Sequence, residues 1–339
     1  VGGTFTAAFG DPAALGVLWN ANIFFPEAQT LAFSEHFIGQ TVMVWPVYWL
    51  TGNPLLAYNV ALLASFVLTG LGTFLLARAL TGSAAGAFAA AVIAAFNEYR
   101  LVYELGHLHV LSIHWFPFAL FALHRYFETD ARRYLTYAAA ALIALNLSSI
   151  YYMAYCAPFV LIFAIAEMVH WQRWRTPRVW LELWAAAAFV LLATAPFLLP
   201  YLEVQRRLGV VRSVAEVIRY SATFDHYRVA LPGMSPAIAL AIVAVFGLVI
   251  DRDARTRWAT RVSLLLLVLS FWLSLGPTPQ SGGQALDFPG LYGWLYEYVP
   301  GYQGLRAPSR FAALLFIFLA ILASAGIAVL ERRAKAIGT

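Results

Sequence analysis

Apolar residues fall in long runs broken by short polar clusters, and within the runs polarity does not alternate from one residue to the next. Alternation would mark strands of a membrane β-barrel, whereas unbroken apolar runs mark helices. The pattern predicts nine of them, at Leu55 to Ala77, Ala84 to Phe96, His109 to Arg125, Tyr134 to Ser148, Ile150 to Val169, Trp180 to Pro200, Pro236 to Ile250, Arg261 to Gly276 and Arg310 to Leu330. A helical crossing takes about 20 apolar residues. Several of these runs are shorter, so either the helices extend past them or they tilt in a thinned bilayer.

The polar clusters sort by charge. Arg78, the group Arg125, Arg132 and Arg133, the group Arg173, Arg175 and Arg178, the group Arg252, Arg255, Arg257 and Arg261, and finally Arg332, Arg333 and Lys335 occupy every second connection. These are 14 of the 22 basic residues, and cytoplasmic loops are the ones that carry such an excess. The remaining connections then lie outside: residues 1 to 54, 97 to 108, a tight joint at 148 to 150, 201 to 235, and 277 to 309. Against this rule Arg306 and Arg310 stand on the outer side, directly before an apolar run.

Composition agrees with the pattern. With 62% hydrophobic and 12% charged residues, the chain of 339 has too little polar surface to close a soluble globule. The expected class is an all-α, polytopic transmembrane bundle of about nine spans, 55 to 339, preceded by an outer segment, 1 to 54. The net charge of +5 reflects orientation and calls for no nucleic-acid partner. A single cysteine, Cys156, excludes an intrachain disulfide and reads as a packing residue.

Two apolar stretches fall short of spans. "HFIGQTVMVWPVYWL" has about 15 residues and contains Pro46, and it predicts an interfacial or re-entrant helix. "YLEVQRRLGVVRSVAEVIRYSA" sets Val204, Leu208, Val211, Ala215 and Ile218 at helical spacing opposite Glu203, Arg207, Arg212, Glu216 and Arg219, and it predicts an amphipathic helix with arginines toward lipid headgroups. Gly82, Gly86, Ala90 and Ala94 form a small-residue stripe for close helix contact. The first residue is Val, and the outer placement of residues 1 to 54 leads us to expect at least one helix upstream of them.

Ionisable residues are rare within the runs, and where they occur they mark function or pairing. Glu167 and Glu182 fall at arginine-rich ends, where pairing accounts for them. The outer ends are richer. "FNEYRLVYELGHLHVLSIHWFP" supplies Asn97, Glu98, Arg100, Glu104, His107, His109 and His114, and Asn146, Ser148 and Ser149 end another helix pair at the same level. An ion-coupled transporter would place carboxylates or broken helices at the midplane. An enzyme acting on a lipid-anchored substrate would gather them at headgroup depth, as here. Arg306 and Arg310, beside a helix that begins near Pro308, could together grip a phosphate or pyrophosphate, or pair with Glu297 or Asp287. "DRD" at Asp251 to Asp253 reads as a solvated loop, and His107 with His109 gives weak zinc spacing.

Five stretches, "NANIFFPEAQTLAFSEHFIGQ", "LTGNPLLAYNVALLASFVLTGLGTFLLARALTGS", "FNEYRLVYELGHLHVLSIHWFPFALFALHRY", "PFLLPYLEVQRRLGVVRSVAEVIRYSA" and "VPGYQGLRAPSRFAAL", together resemble a bacterial family of polytopic membrane proteins related to GT-C glycosyltransferases, the class of the protein O-mannosyltransferases and YfhO-like proteins. The resemblance implies an enzyme of the bacterial inner membrane. It would transfer a sugar from a polyprenyl-phosphate donor to an extracytoplasmic acceptor, with an acidic residue of the first outer loop as base or metal ligand. Asp11 lies too near "NANIFFP" to be that residue. Glu35, with His36 beside it, is the candidate base, and Glu27 the reserve. Glu35 could equally be a charge at the start of the following interfacial helix. Arg100, Glu104 and His107 are expected to contact the sugar phosphate, and Arg306 and Arg310 to stabilise the departing phosphate. A divalent cation is an allowed cofactor, and membrane lipids are expected partners. The rival expectations are a transporter or flippase for lipid-linked cell-envelope glycans, and an assembly protein whose outer arginines bind anionic lipid.

Overall fold

The computed structural model describes residues 19–21, 23–209 and 211–337. Asp11 and the rest of residues 1–18 lie outside them. Every predicted run is helical, and most helices extend past the run that announced them. Helix α1 is Ile38–Thr51, α2 Pro54–Thr81, α3 Ala84–Ala95, α4 Leu108–Leu111, α5 Trp115–Thr129, α6 Arg132–Ser148 and α7 Ile150–His170. They are followed by α8 Pro177–Leu208, α9 Val214–Arg219, α10 Phe224–Ile250, α11 Ala254–Ser274, α12 Leu291–Tyr298 and α13 Ala312–Ile337. The strands among the described residues are the two-residue pair β1 Gln280–Ser281 and β2 Gln284–Ala285.

Seven segments are long and apolar enough to cross a membrane: Pro54–Thr81, Ala84–Tyr103, Ile150–His170, Pro177–Leu208, Val214–Ile250, Ala254–Ser274 and Pro308–Ile337. Of the nine predicted crossings, α5 with 15 residues and α6 with 17 are the two that fall outside these segments. Helix α1, at 14 residues, is shorter still, consistent with its reading as a helix that does not span.

Three local predictions differ from the structure. The run His109 to Arg125 is two helices, because residues 112 to 114 leave helical hydrogen bonding between α4 and α5. The predicted amphipathic helix of residues 201 to 222 is broken as well: α8 ends at Gly209, whose φ of 61° favours glycine, and α9 restarts after the Ser213 cap. The segment 201 to 235 is also less loop than expected. Helix α10 starts at Phe224, well before Pro236, because Thr223 and His226 form a reciprocal capping box there.

Helix α13 is the axis of the bundle. Of its most apolar stretch 89% is buried, against 11% for α8, whose outward leucines are an apolar surface turned away from the protein. It packs against α3, α10, α11 and α2. Close approach needs small residues: a Cβ on Gly326 would lie 2.0 Å from the Leu240 carbonyl oxygen of α10. The small-residue stripe of α3 meets the same helix through buried Gly86, Ala87, Ala90 and Ala94, while Gly82 instead terminates α2.

The arginine-rich end is closed by ion pairs. Glu182 accepts from Arg132 and Arg178, each at 2.7 Å, as the sequence leads one to expect. Glu167 does not pair with arginine. It is fully buried, 2.8 Å from His124 Nδ1, and accepts from the indoles of Trp171 at 2.9 Å and Trp258 at 3.4 Å, which joins α5, α7 and α11. In "DRD", Asp253 caps α11 by accepting from Thr256 N at 2.7 Å, and Asp251 pairs with Arg332.

Candidate functional site

At the opposite end, the segment leading into α1 lies across the joint between α6 and α7. The joint needs partners, because α7 begins at Ile150 one residue after α6 stops and its first N–H groups have no carbonyl a turn earlier. Glu35 supplies them: one carboxyl oxygen accepts from Ser149 Oγ and the other from Ile150 N, both at 3.1 Å. Gln40 donates to the Ser148 carbonyl at 2.8 Å and to Ser112 Oγ at 2.9 Å. A Cβ on Gly39 would fall 2.3 Å from Ser148 Oγ, so a glycine lets the segment lie this close.

Glu35 is buried, and burial pushes its carboxyl up to about 7 against the opposing pull of the Ile150 N–H, the Arg310 charge and Ser149. Arg310 comes from the short 3₁₀ turn Pro308–Phe311 that opens into α13, with Pro308 first in the turn. Its guanidinium lies 4.1 Å from the centre of the Tyr151 ring. It is 92% buried by its 8% exposure, and among the described residues its Nη1 has no hydrogen-bond partner. Its positive charge also acts on Glu104, whose carboxyl burial raises. Glu104 follows a π-helical turn, Tyr99–Tyr103, accepts from the Tyr99 hydroxyl at 3.1 Å and stands 3.1 Å from His107 Nδ1. One buried cation is thus within electrostatic reach of two carboxyls from separate parts of the chain.

The other candidates divide. His36 is beside Glu35 but occupied: its Nδ1 accepts from Ile38 N at 3.1 Å, which assigns the proton of the neutral ring to Nε2. Burial pushes it down to about 4. Its ring sits among Trp19, Tyr201 and Phe197 at 5.7, 5.9 and 6.4 Å. Together with Asn146, Met153, Thr194, Phe197 and Leu198 it lines a small cleft with a cavity volume of about 10 Å³. Arg100 turns away from Arg310: it donates to the carbonyls of Leu111 at 3.1 Å and Ser65 at 3.2 Å and lies over Phe66, where it fastens the break between α4 and α5 to α2. His107 is half exposed at the rim.

Arg306 and Arg310 do not form a joint grip. Arg306 is 42% exposed, 3.9 Å from Glu216, and rests over the Tyr220 ring, so neither Glu297 nor Asp287 is its partner. The reserve residue Glu27 is exposed and 3.6 Å from Arg207. Among the described residues no group of three or more His, Cys, Asp or Glu side chains gathers to hold a metal ion. The tyrosines around Arg310 carry no signal in a sequence with 17 of them.

No protein-family model matches this chain, and neither does any curated protein or any solved structure.

Proposed function

We propose that the chain is a membrane glycosyltransferase of the bacterial cell envelope, which moves a sugar from a polyprenyl-phosphate donor to a hydroxyl acceptor on the extracytoplasmic side. The observation that carries this reading is Arg310. A buried guanidinium with an unpartnered donor, at the end of the bundle opposite the arginine-rich loops, is left with capacity for an anion. A phosphate held there would lie at headgroup depth, where a lipid carrier presents it.

Glu35 is the base in this scheme. In its ionised form it takes the proton of the acceptor hydroxyl as that oxygen bonds to the anomeric carbon. The bond from that carbon to the phosphate oxygen breaks, its electron pair stays with the phosphate, and Arg310 meets the added negative charge. Glu104, tethered by Tyr99 and His107, orients the sugar at the rim. Arg306 and Arg100 have no step in this reaction.

The test is binding of a polyprenyl-phosphate sugar to the protein in nanodiscs. The expected result is binding by wild type and by Arg306→Ala, and a loss of at least tenfold in affinity in Arg310→Ala, the scale of one charge-assisted hydrogen bond of about 1.5–3 kcal/mol. Equal binding by Arg310→Ala would remove the phosphate site. Binding with no sugar transfer to any acceptor would favour a flippase for lipid-linked glycans.

A further inference from the structure

Ile23, Phe24 and Phe25 are exposed by 46, 62 and 96%, three consecutive large apolar side chains on a segment that the fold places outside the bundle. Single exposed apolar residues are ordinary, but a contiguous patch marks a contact surface. The patch has a fixed shape. Glu27 N donates to the Phe24 carbonyl at 2.9 Å, which puts Phe25 and Pro26 at the tip of a turn, and the Phe24 ring leans on Phe33 at 5.5 Å.

Its position along the membrane normal follows from α8. Gln29 donates to Glu203 at 2.8 Å, and Arg207 donates to the Ala28 carbonyl at 2.9 Å and stands 3.6 Å from Glu27. The turn is therefore tied to the end of α8. Arg178, in the arginine-rich end of the same helix, is 25 residues from Glu203, a rise of at most about 38 Å at 1.5 Å per residue. A hydrocarbon core is about 30 Å thick and the whole bilayer about 40–45 Å. With Arg178 among the headgroups of one leaflet, Glu203 reaches those of the other. The turn then hangs beside the end of α8 at that depth, where Leu199 and Leu202 are also exposed.

We propose that Ile23, Phe24 and Phe25 insert into the boundary between headgroups and acyl chains of the leaflet at the Glu35 end, as an anchor that sets the depth of the segment carrying Glu35. The occupant of the patch is lipid. Arg207 holds the same turn and, with Arg206 exposed in the same last turn of α8, suits anionic headgroups, and the anchor is connected to Glu35 by the 3₁₀ turn Thr30–Phe33. The proposal rests on the helices spanning a membrane and is independent of the sugar-transfer reaction.

The buried Cys156 makes the test clean. In a Cys156→Ala background, a nitroxide on Phe25→Cys is compared with one on Leu192→Cys, on the outward face of α8, and one on Ala285→Cys, in the polar hairpin. The protein is in nanodiscs of phosphatidylethanolamine and phosphatidylglycerol. Collisions with oxygen report lipid, and collisions with a water-soluble nickel chelate report solvent. The expected oxygen-to-nickel ratio at Phe25 is close to that at Leu192 and above that at Ala285. In a second arm the label is on Ala28→Cys, outside the patch, and Phe24→Ser/Phe25→Ser lowers its ratio to the Ala285 value. A Phe25 ratio equal to that of Ala285 would overturn the proposal, and so would poor collision with both reagents, which means cover by protein. A low ratio at Leu192 would overturn the membrane placement itself.

Discussion

Glu35 serves two purposes that pull its ionisation in opposite directions. As the cap of α7 it accepts two hydrogen bonds, which favour the carboxylate, while burial favours the acid and prevails, so that it titrates near 7 instead of 4.5. For the proposed chemistry this suits a base at neutral pH. Turnover is expected to rise as pH passes upward through about 7, and Glu35→Gln to lower it by a factor of about 10²–10⁴ across that range, measured as sugar transfer against pH. Stability runs the other way. A carboxyl with a raised value in the folded state binds its proton more tightly there, so its contribution is fully present below about 4.5 and is lost as pH rises to about 7. The loss is about 3 kcal/mol. Thermal unfolding of Glu35→Gln at pH 5 and pH 8 is expected to show a smaller pH difference than wild type. The sequence marked Glu35 and Arg310 individually, the first as a carboxylate before a short helix and the second as an arginine on the wrong side of a span. The resemblance put them in one reaction, but the seat of Glu35 was not legible, because its tie to the α6–α7 joint spans 114 residues of chain and consists of a serine hydroxyl and a backbone N–H.

Helices were legible wherever apolar length decided the matter, and their ends less so. The run at Pro236 hid the first turns of α10 because Pro232 and Pro236 both lie inside the helix. The surface pattern of residues 204 to 218 ran through a glycine that stops α8. Contacts between helices were still less visible: Glu167 reads as a residue near arginines, yet its partners are a histidine 43 residues earlier and an indole 91 residues later. Removing one member leaves a buried carboxylate short of a donor. His124→Leu is therefore expected to lower stability by about 1–3 kcal/mol, read as a drop in the unfolding temperature, while Arg175→Ala at the same end changes it little. At the joint of α6 and α7, Gly39→Ala is expected to cost about 1–3 kcal/mol, because the added methyl meets Ser148 and the segment has to lift. The same variant would carry Glu35 away from Ser149, so sugar transfer should fall with it.

Across the whole molecule, charge gathers at the two ends of the bundle. One end holds Glu182, Asp251 and Asp253 paired with arginines, and the other holds Arg310, a buried cation with an unpartnered Nη1. Between them α13 stands enclosed, and in the chain it follows α2, α3, α10 and α11, the helices it holds together. Each of those helices enters the membrane before the helix they surround has been made. Their small-residue faces therefore spend the interval of synthesis against lipid or against one another, and assembly resembles staves waiting for a post. Arg310 takes its place beside Tyr151 only once α13 has arrived, so the proposed anion site and the packing around α13 come into being together.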